Sequence, residues 1–274
     1  MLGEMSSPWR ERAKRAFPGL VQGARLYRLL CNQVRYPIAA TVLDLRGTVL
    51  AGPFAGLRCP RSGGAGGYWE MLGTYEQCLH PVIEHIIQHP PPAIIVVGAA
   101  HGYYAGGLAK RCPDTHVVAY EMDATRVDLM NKYLRINGVM DRVETHATRC
   151  EAEDLSAELR REPCALIFMD VEGAEDVLLD PKEVPALYQT EILVELHDVF
   201  VPGVTDRIQR RFADSHRWTI HFEGPPRKPD LPAPLDRLLR PYWPQMAVPR
   251  REEGGSWLFL EPNFPAAASE PLAS

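Results

Sequence analysis

The chain has 274 residues, 46% hydrophobic and 24% charged, enough for one large globular domain with attachments. Its formal net charge of -5 lacks the basic surplus that electrostatic capture of nucleic acid requires, so no nucleic-acid partner is expected. No apolar run approaches the roughly 20 residues that cross a bilayer, and Met1–Arg15 has no apolar signal core, so the expectation is a cytoplasmic protein without a membrane partner.

Trp9 to Leu30 is a basic amphipathic stretch broken by Pro18-Gly19, and is a candidate dimer contact. Ile38 to Leu50 alternates in places like a strand (Thr41-Val42-Leu43-Asp44-Leu45), with a hairpin signal at Arg46-Gly47. The glycine-rich segment 61–67 predicts a loop. Residues 1–70 therefore read as a helical and β-hairpin extension.

A different rhythm begins at Tyr75. Tyr75 to Gln88 has helical spacing, with Pro81 predicting either a kink or a later start. Ala93 to Gly98 is a short continuous apolar run, as expected of a strand covered on both faces. Helix 102–111, strand His116 to Glu121 and helix Ala124 to Asn137 follow, the last stopped by Gly138. Strand Val143 to His146, helix Ala152 to Arg161 and strand Ala165 to Asp170 continue the alternation. Helix Gly173 to Leu179, strand Ile192 to Leu196, helix Val204 to Ser215 and strand Trp218 to Phe222 complete it.

Gly224 to Gly254 is rich in proline and carries Arg227, Lys228, Arg237, Arg240, Arg250 and Arg251. It reads as a lid for an anionic or aromatic substrate or as a solvated connector. Ser256 to Glu261 then forms a strand with no crossover helix before it, so it should pair antiparallel. The fold expectation is α/β: a doubly wound, mostly parallel seven-stranded sheet with an antiparallel last strand. Residues 71–262 make this domain, with 224–254 as an insertion and 263–274 as a disordered tail. The six cysteines (Cys31, Cys59, Cys78, Cys112, Cys150 and Cys164) lack C-x-x-C spacing and read as free thiols.

In an open parallel sheet the ligand sits beyond the carboxyl ends of the strands. The first strand delivers Gly98-Ala99-Ala100-His101-Gly102 to that edge, where small residues let backbone approach a ligand. The second strand closes with Glu121, at the offset of an acid that binds both hydroxyls of a ribose. Together they point to an adenosine cofactor. A nicotinamide cofactor uses the same geometry, but Ala100 and Tyr103 stand where its second and third glycines belong.

Asp170-Val171-Glu172-Gly173-Ala174-Glu175 resembles the signature of FkbM-type S-adenosylmethionine (SAM)-dependent methyltransferases. Val97 to Tyr104 resembles their glycine motif, and Gly73-Thr74-Tyr75-Glu76 their Gly-x-Tyr-Glu segment; the likeness spans Leu72 to Asp198. The resemblance implies a class I methyltransferase fold, SAM as cofactor, and methyl transfer to an oxygen of a small-molecule acceptor such as a natural product or sugar. By position, Gly98, Ala99, Ala100, Gly102 and Tyr103 would line the methionine and ribose part of SAM, and Glu121 would hold the ribose. Met122 would lie against the adenine, with Thr148 or Cys150 at its edge. The family usually has Asp where this chain has Val96 and Asn where it has Ala100; Glu76 and Asp170 are the substitutes for the missing acid.

The candidate chemistry lies at the ends of the fourth and fifth strands, where Asp170 and Glu172 neighbour Glu195, His197 and Asp198. His197 is the expected general base, on an ordinary imidazole pKa of ~6.5, with Asp170 beside it. A Mg²⁺ or similar ion held by these carboxylates and chelating a diol substrate is the further expectation. His101 reads as a solvent-facing ring or a substrate contact. An NAD(P)-dependent oxidoreductase and a non-catalytic scaffold are the competing functions.

Overall fold

The computed structural model describes residues 36–60, 67–246 and 256–264. The expectations for Trp9–Leu30, for most of the glycine-rich loop, for residues 247–255 and for the tail beyond 264 lie outside the described residues. The first described segment departs from expectation. Helix α1 (Tyr36–Arg46) stands where a strand and hairpin were read, and a lone bridge between Thr48 and Arg58 is the remnant of a ladder. Ala39 and Leu43, one helical turn apart, are fully buried, whereas Leu45 is 66% exposed. Period four, not period two, sorts these side chains. Gly47, at φ 56°, donates its N–H to Leu43 O at 2.9 Å and closes the helix.

After α2 (Tyr68–Leu72), helix α3 (His80–Gln88) begins with Pro81 in its first turn. The later start is thus the correct one of the two readings, because a proline nitrogen has no N–H to lose there. Seven strands follow: β1 (Ala93–Val97), β2 (His116–Tyr120), β3 (Val143–His146), β4 (Leu166–Met169), β5 (Glu191–Leu196), β6 (His216–Phe222) and β7 (Ser256–Pro262). They form one sheet in the order β3-β2-β1-β4-β5-β7-β6. The first five are parallel, and β7 lies antiparallel to both β5 and β6. This is the doubly wound, mostly parallel seven-stranded sheet with an antiparallel last strand that the sequence predicts.

Both faces of the central strands are covered, which their unbroken apolar runs require. Ile94 and Val96 join the core beneath α3, α4 (Tyr103–Arg111) and α5 (Ala124–Asn137). Ile95 and Val97 join the opposite core with α6 (Ala152–Arg161), α7 (Glu175–Leu178) and α8 (Val204–Phe212). Each fully buried aliphatic side chain contributes about 1.5–3 kcal/mol relative to an exposed one.

The insertion is neither a free lid nor a solvated connector in its described part. It carries α9 (Ala233–Leu239) and α10 (Trp243–Met246), and Leu235, Leu239 and Met246 share a third core with Ala39, Leu43 and Leu72. Two of its cations are spent internally, since Lys228 and Arg240 both pair with Asp236.

Candidate functional site

Strand order reverses between β1 and β4, with β2 and β3 beyond one and β5 beyond the other. Connections leaving in opposite directions open a crevice above the carboxyl ends there. It is a cleft of about 470 Å³ whose walls include Gly98, Ala100, Glu121, Thr148, Asp170 and Glu172. A cavity of about 40 Å³ shares Gly98, Ala100 and Asp170 with it and is lined further by Ala99, Val96, Tyr103, Tyr104 and Phe168.

The end of β4 presses on the turn after β1. Asp170 N–H donates to Val97 O at 2.9 Å, and a Cβ on Gly98 would lie 1.7 Å from the Asp170 carbonyl oxygen. Gly98 also has φ 82°, so both space and conformation demand glycine. Ala100 adopts φ 48° in the left-handed region, where asparagine is tolerated better than alanine. That is the position at which the resembled family usually has Asn.

Glu121 is 5% exposed, and its carboxylate is anchored at both ends. Oε2 accepts from Ala100 N–H at 2.8 Å, and Oε1 accepts from Asp123 N–H at 2.8 Å. Each oxygen retains a second lone pair for a hydroxyl donor in the cleft. Met122, 71% exposed, and Thr148 and Cys150 line the same cleft. Burial, with Asp154 and Glu151 nearby, pushes the Cys150 thiol up to about 12.

Other expected residues fall elsewhere. Gly102 lines neither cavity; it opens α4 at φ 89° against Met130. Glu76, 1% exposed, lines neither cavity and accepts the Tyr104 hydroxyl hydrogen. His101 lines the smaller cavity, and its Nε2 is 3.1 Å from the buried carboxylate of Glu70, tying the turn to α2. Sequence reasoning missed Arg126, Arg149 and Val177 on the cleft wall. Arg126 was within reach of it, because Asp123 caps α5 through the Thr125 and Arg126 amides and so sets the first turn beside Glu121.

At the ends of β4 and β5, four carboxylates surround one imidazole. His197 Nδ1–H donates to Glu175 Oε1 at 2.6 Å, and Glu175 Oε1 also accepts from Gly173 N–H at 3.0 Å. His197 Nε2 stands 3.3 Å from Glu172 Oε2 and 3.7 Å from both Asp170 Oδ1 and Glu195 Oε2. Burial alone would lower the His197 pKa. The Glu175 hydrogen bond and the charges of Glu195, Glu175 and Asp170 outweigh it and raise the pKa to about 9. These acids favour the protonated ring, and Nε2 is the nitrogen turned to Asp170, Glu172 and Glu195. Burial, the charge of Glu195 and a hydrogen bond with it raise the Asp170 pKa well above its ordinary value. His197 does not itself line the cleft; Asp170 and Glu172 do.

No protein-family model matches the chain, and no curated protein matches it. Among solved structures it is similar to the O-methyltransferase TomG from Streptomyces achromogenes in complex with SAM, at 18% identity over 65% of this chain and 77% of that one, TM-score 0.42. It is similar to cofactor-bound Rv0187 from MTB, at 16% identity over 86% and 95%, TM-score 0.46. It is also similar to an rRNA methylase from Streptococcus thermophilus, at 12% identity over 69% and 98%, TM-score 0.44. At such identities, what those proteins bind or modify does not transfer to this chain.

Proposed function

We propose that the chain is a SAM-dependent methyltransferase of the FkbM type that methylates a hydroxyl oxygen of a small molecule. The observation that carries this reading is the buried Glu121 carboxylate, fixed by two backbone amides in a cleft at the sheet's switch point. The antiparallel β7 between β5 and β6 favours SAM over a nicotinamide cofactor, whose usual sheet order is 3-2-1-4-5-6.

The residues present fit the cofactor. Glu121 presents a buried carboxylate to the cleft, with a second lone pair on each oxygen for a ribose hydroxyl. Gly98 and Ala100 offer close backbone, Glu121 takes the ribose hydroxyls, Met122 covers the adenine, and Thr148 and Cys150 border its edge. When bound, SAM supplies an electrophilic methyl group on a sulfonium. The chain's task is then to orient an acceptor oxygen and exclude water, which can supply much of the acceleration. Asp170 and Glu172 form the polar wall available to that acceptor, with His197 behind them.

Calorimetry with S-adenosylhomocysteine tests the reading. The wild-type protein should bind it, and Glu121→Ala should weaken binding at least roughly tenfold through loss of a buried charged acceptor. Absence of binding to the folded wild type, or preference for a nicotinamide dinucleotide, overturns it.

A further inference from the structure

We propose that Asp170, Glu172 and His197 form a binding site for a divalent transition-metal ion at the edge of the cleft. The site is argued from its ligands alone and stands or falls apart from the SAM reading.

One oxygen of Asp170, one of Glu172 and one nitrogen of His197 all lie within 4.8 Å of one another. The Nε2 distances to the two carboxylates are 3.3 and 3.7 Å. Ligands bonded to one first-row ion at about 2.0–2.2 Å stand roughly 3–3.5 Å apart, so small adjustments bring the set into range. The imidazole is already oriented for this role. Its side chain is 9% exposed, and Glu175 holds Nδ1–H, which turns Nε2 toward the carboxylates. A carboxylate behind a ligating histidine fixes its tautomer and strengthens it as a donor.

Buried carboxylate oxygens give a second observation in favour of a cation. Asp170 Oδ1 and Glu175 Oε2 are buried without a hydrogen-bond partner, and Glu175 is 0% exposed. Buried carboxylate oxygens cost free energy unless a donor or cation meets them. Four acidic side chains around one imidazole exceed what that imidazole can neutralise, and a divalent ion makes up the difference. Glu172 is 65% exposed and both carboxylates line the cleft, so the remaining coordination positions face solvent and ligand.

The nitrogen donor also corrects the Mg²⁺ expectation. Mg²⁺ is typically held by oxygen ligands and retains water, whereas imidazole suits Zn²⁺ and similar ions. If the proposed methyl transfer takes place here, the ion would hold the acceptor oxygen and ease loss of its proton.

The test loads the full chain, stripped with a chelator, with Co²⁺ or Zn²⁺ and follows calorimetry and elemental analysis after desalting. One equivalent should bind at this site and resist a hundredfold excess of Mg²⁺. Glu172→Gln, at an exposed position, should weaken binding at least tenfold while leaving the unfolding temperature unchanged. Asp170→Asn combined with Glu172→Gln should abolish it. The other His/Glu cluster, Glu144, His146 and Glu158, is already engaged by Arg161 at 3.0 Å, so Glu144→Gln should leave metal uptake intact. Lack of uptake by folded wild type overturns the proposal. So does uptake that survives the double variant, or displacement by Mg²⁺. S-adenosylhomocysteine binding, measured on the same samples, reports separately on the cofactor reading.

Discussion

Gly98 and Ala100 both occupy the left-handed region, at φ 82° and 48°, for different reasons. Gly98 is demanded by contact, because a side chain there would strike the Asp170 carbonyl at 1.7 Å. Gly98→Ala should therefore part β1 from β4, lowering the unfolding temperature and abolishing nucleoside binding together. Ala100 is strained by conformation, which costs an L-residue about 1–2 kcal/mol. Ala100→Gly should raise stability by about 1 kcal/mol in urea unfolding; no gain would mean that the turn relaxes without strain. Cys150 gives a chemical readout of the cleft. With its thiol at about 12, labelling by a thiolate-selective reagent should be slow at pH 7 and rise about tenfold per pH unit, and a ligand in the cleft should slow it further. Glu121 was legible in the sequence because its role depends on a local offset after a strand. The partners of Glu76 and His197 were not, because Tyr104, Glu175 and Glu195 reach them only through tertiary packing.

Among the elements, the sheet was readable because strands covered on both faces must be apolar throughout, and β1 and β4 are. Helix α1 was not, since Thr41 to Leu45 alternates over five residues while the deciding contacts lie far along the chain. Leu43 is buried in a core with Leu235 and Leu239 of α9, so the helix is selected by an element nearly two hundred residues away. That same core turns the insertion from an expected loop into two docked helices. Leu239→Ala should then cost about 2–5 kcal/mol, the range for emptying a fully buried leucine. Hydrogen exchange should accelerate in α1 as well as in α9. Acceleration confined to α9 would show that the two do not stabilise one another.

At the scale of the molecule, the switch point that opens the cleft also concentrates charge, because β4 and β5 end side by side there. Asp170 directly follows β4, Glu172 lies in the loop after it, Glu175 begins α7, Glu195 lies in β5, and all four acids face His197. This makes stability depend on pH with a definite sign. The His197 pKa is near 6.5 in the unfolded chain and about 9 in the folded one, so its contribution is fully present below 6.5 and is lost as pH rises through 9. Asp170 acts in the same direction, since its raised pKa lets the folded state keep a proton that the unfolded chain has released. In chelator-treated protein at constant ionic strength, the urea midpoint should fall steadily between pH 6.5 and 9.5. His197→Gln should start lower and lose most of that slope, because the folded state then gains no proton over the unfolded one at this position. A wild-type midpoint flat across the window would mean that the four acids do not hold the imidazole charged.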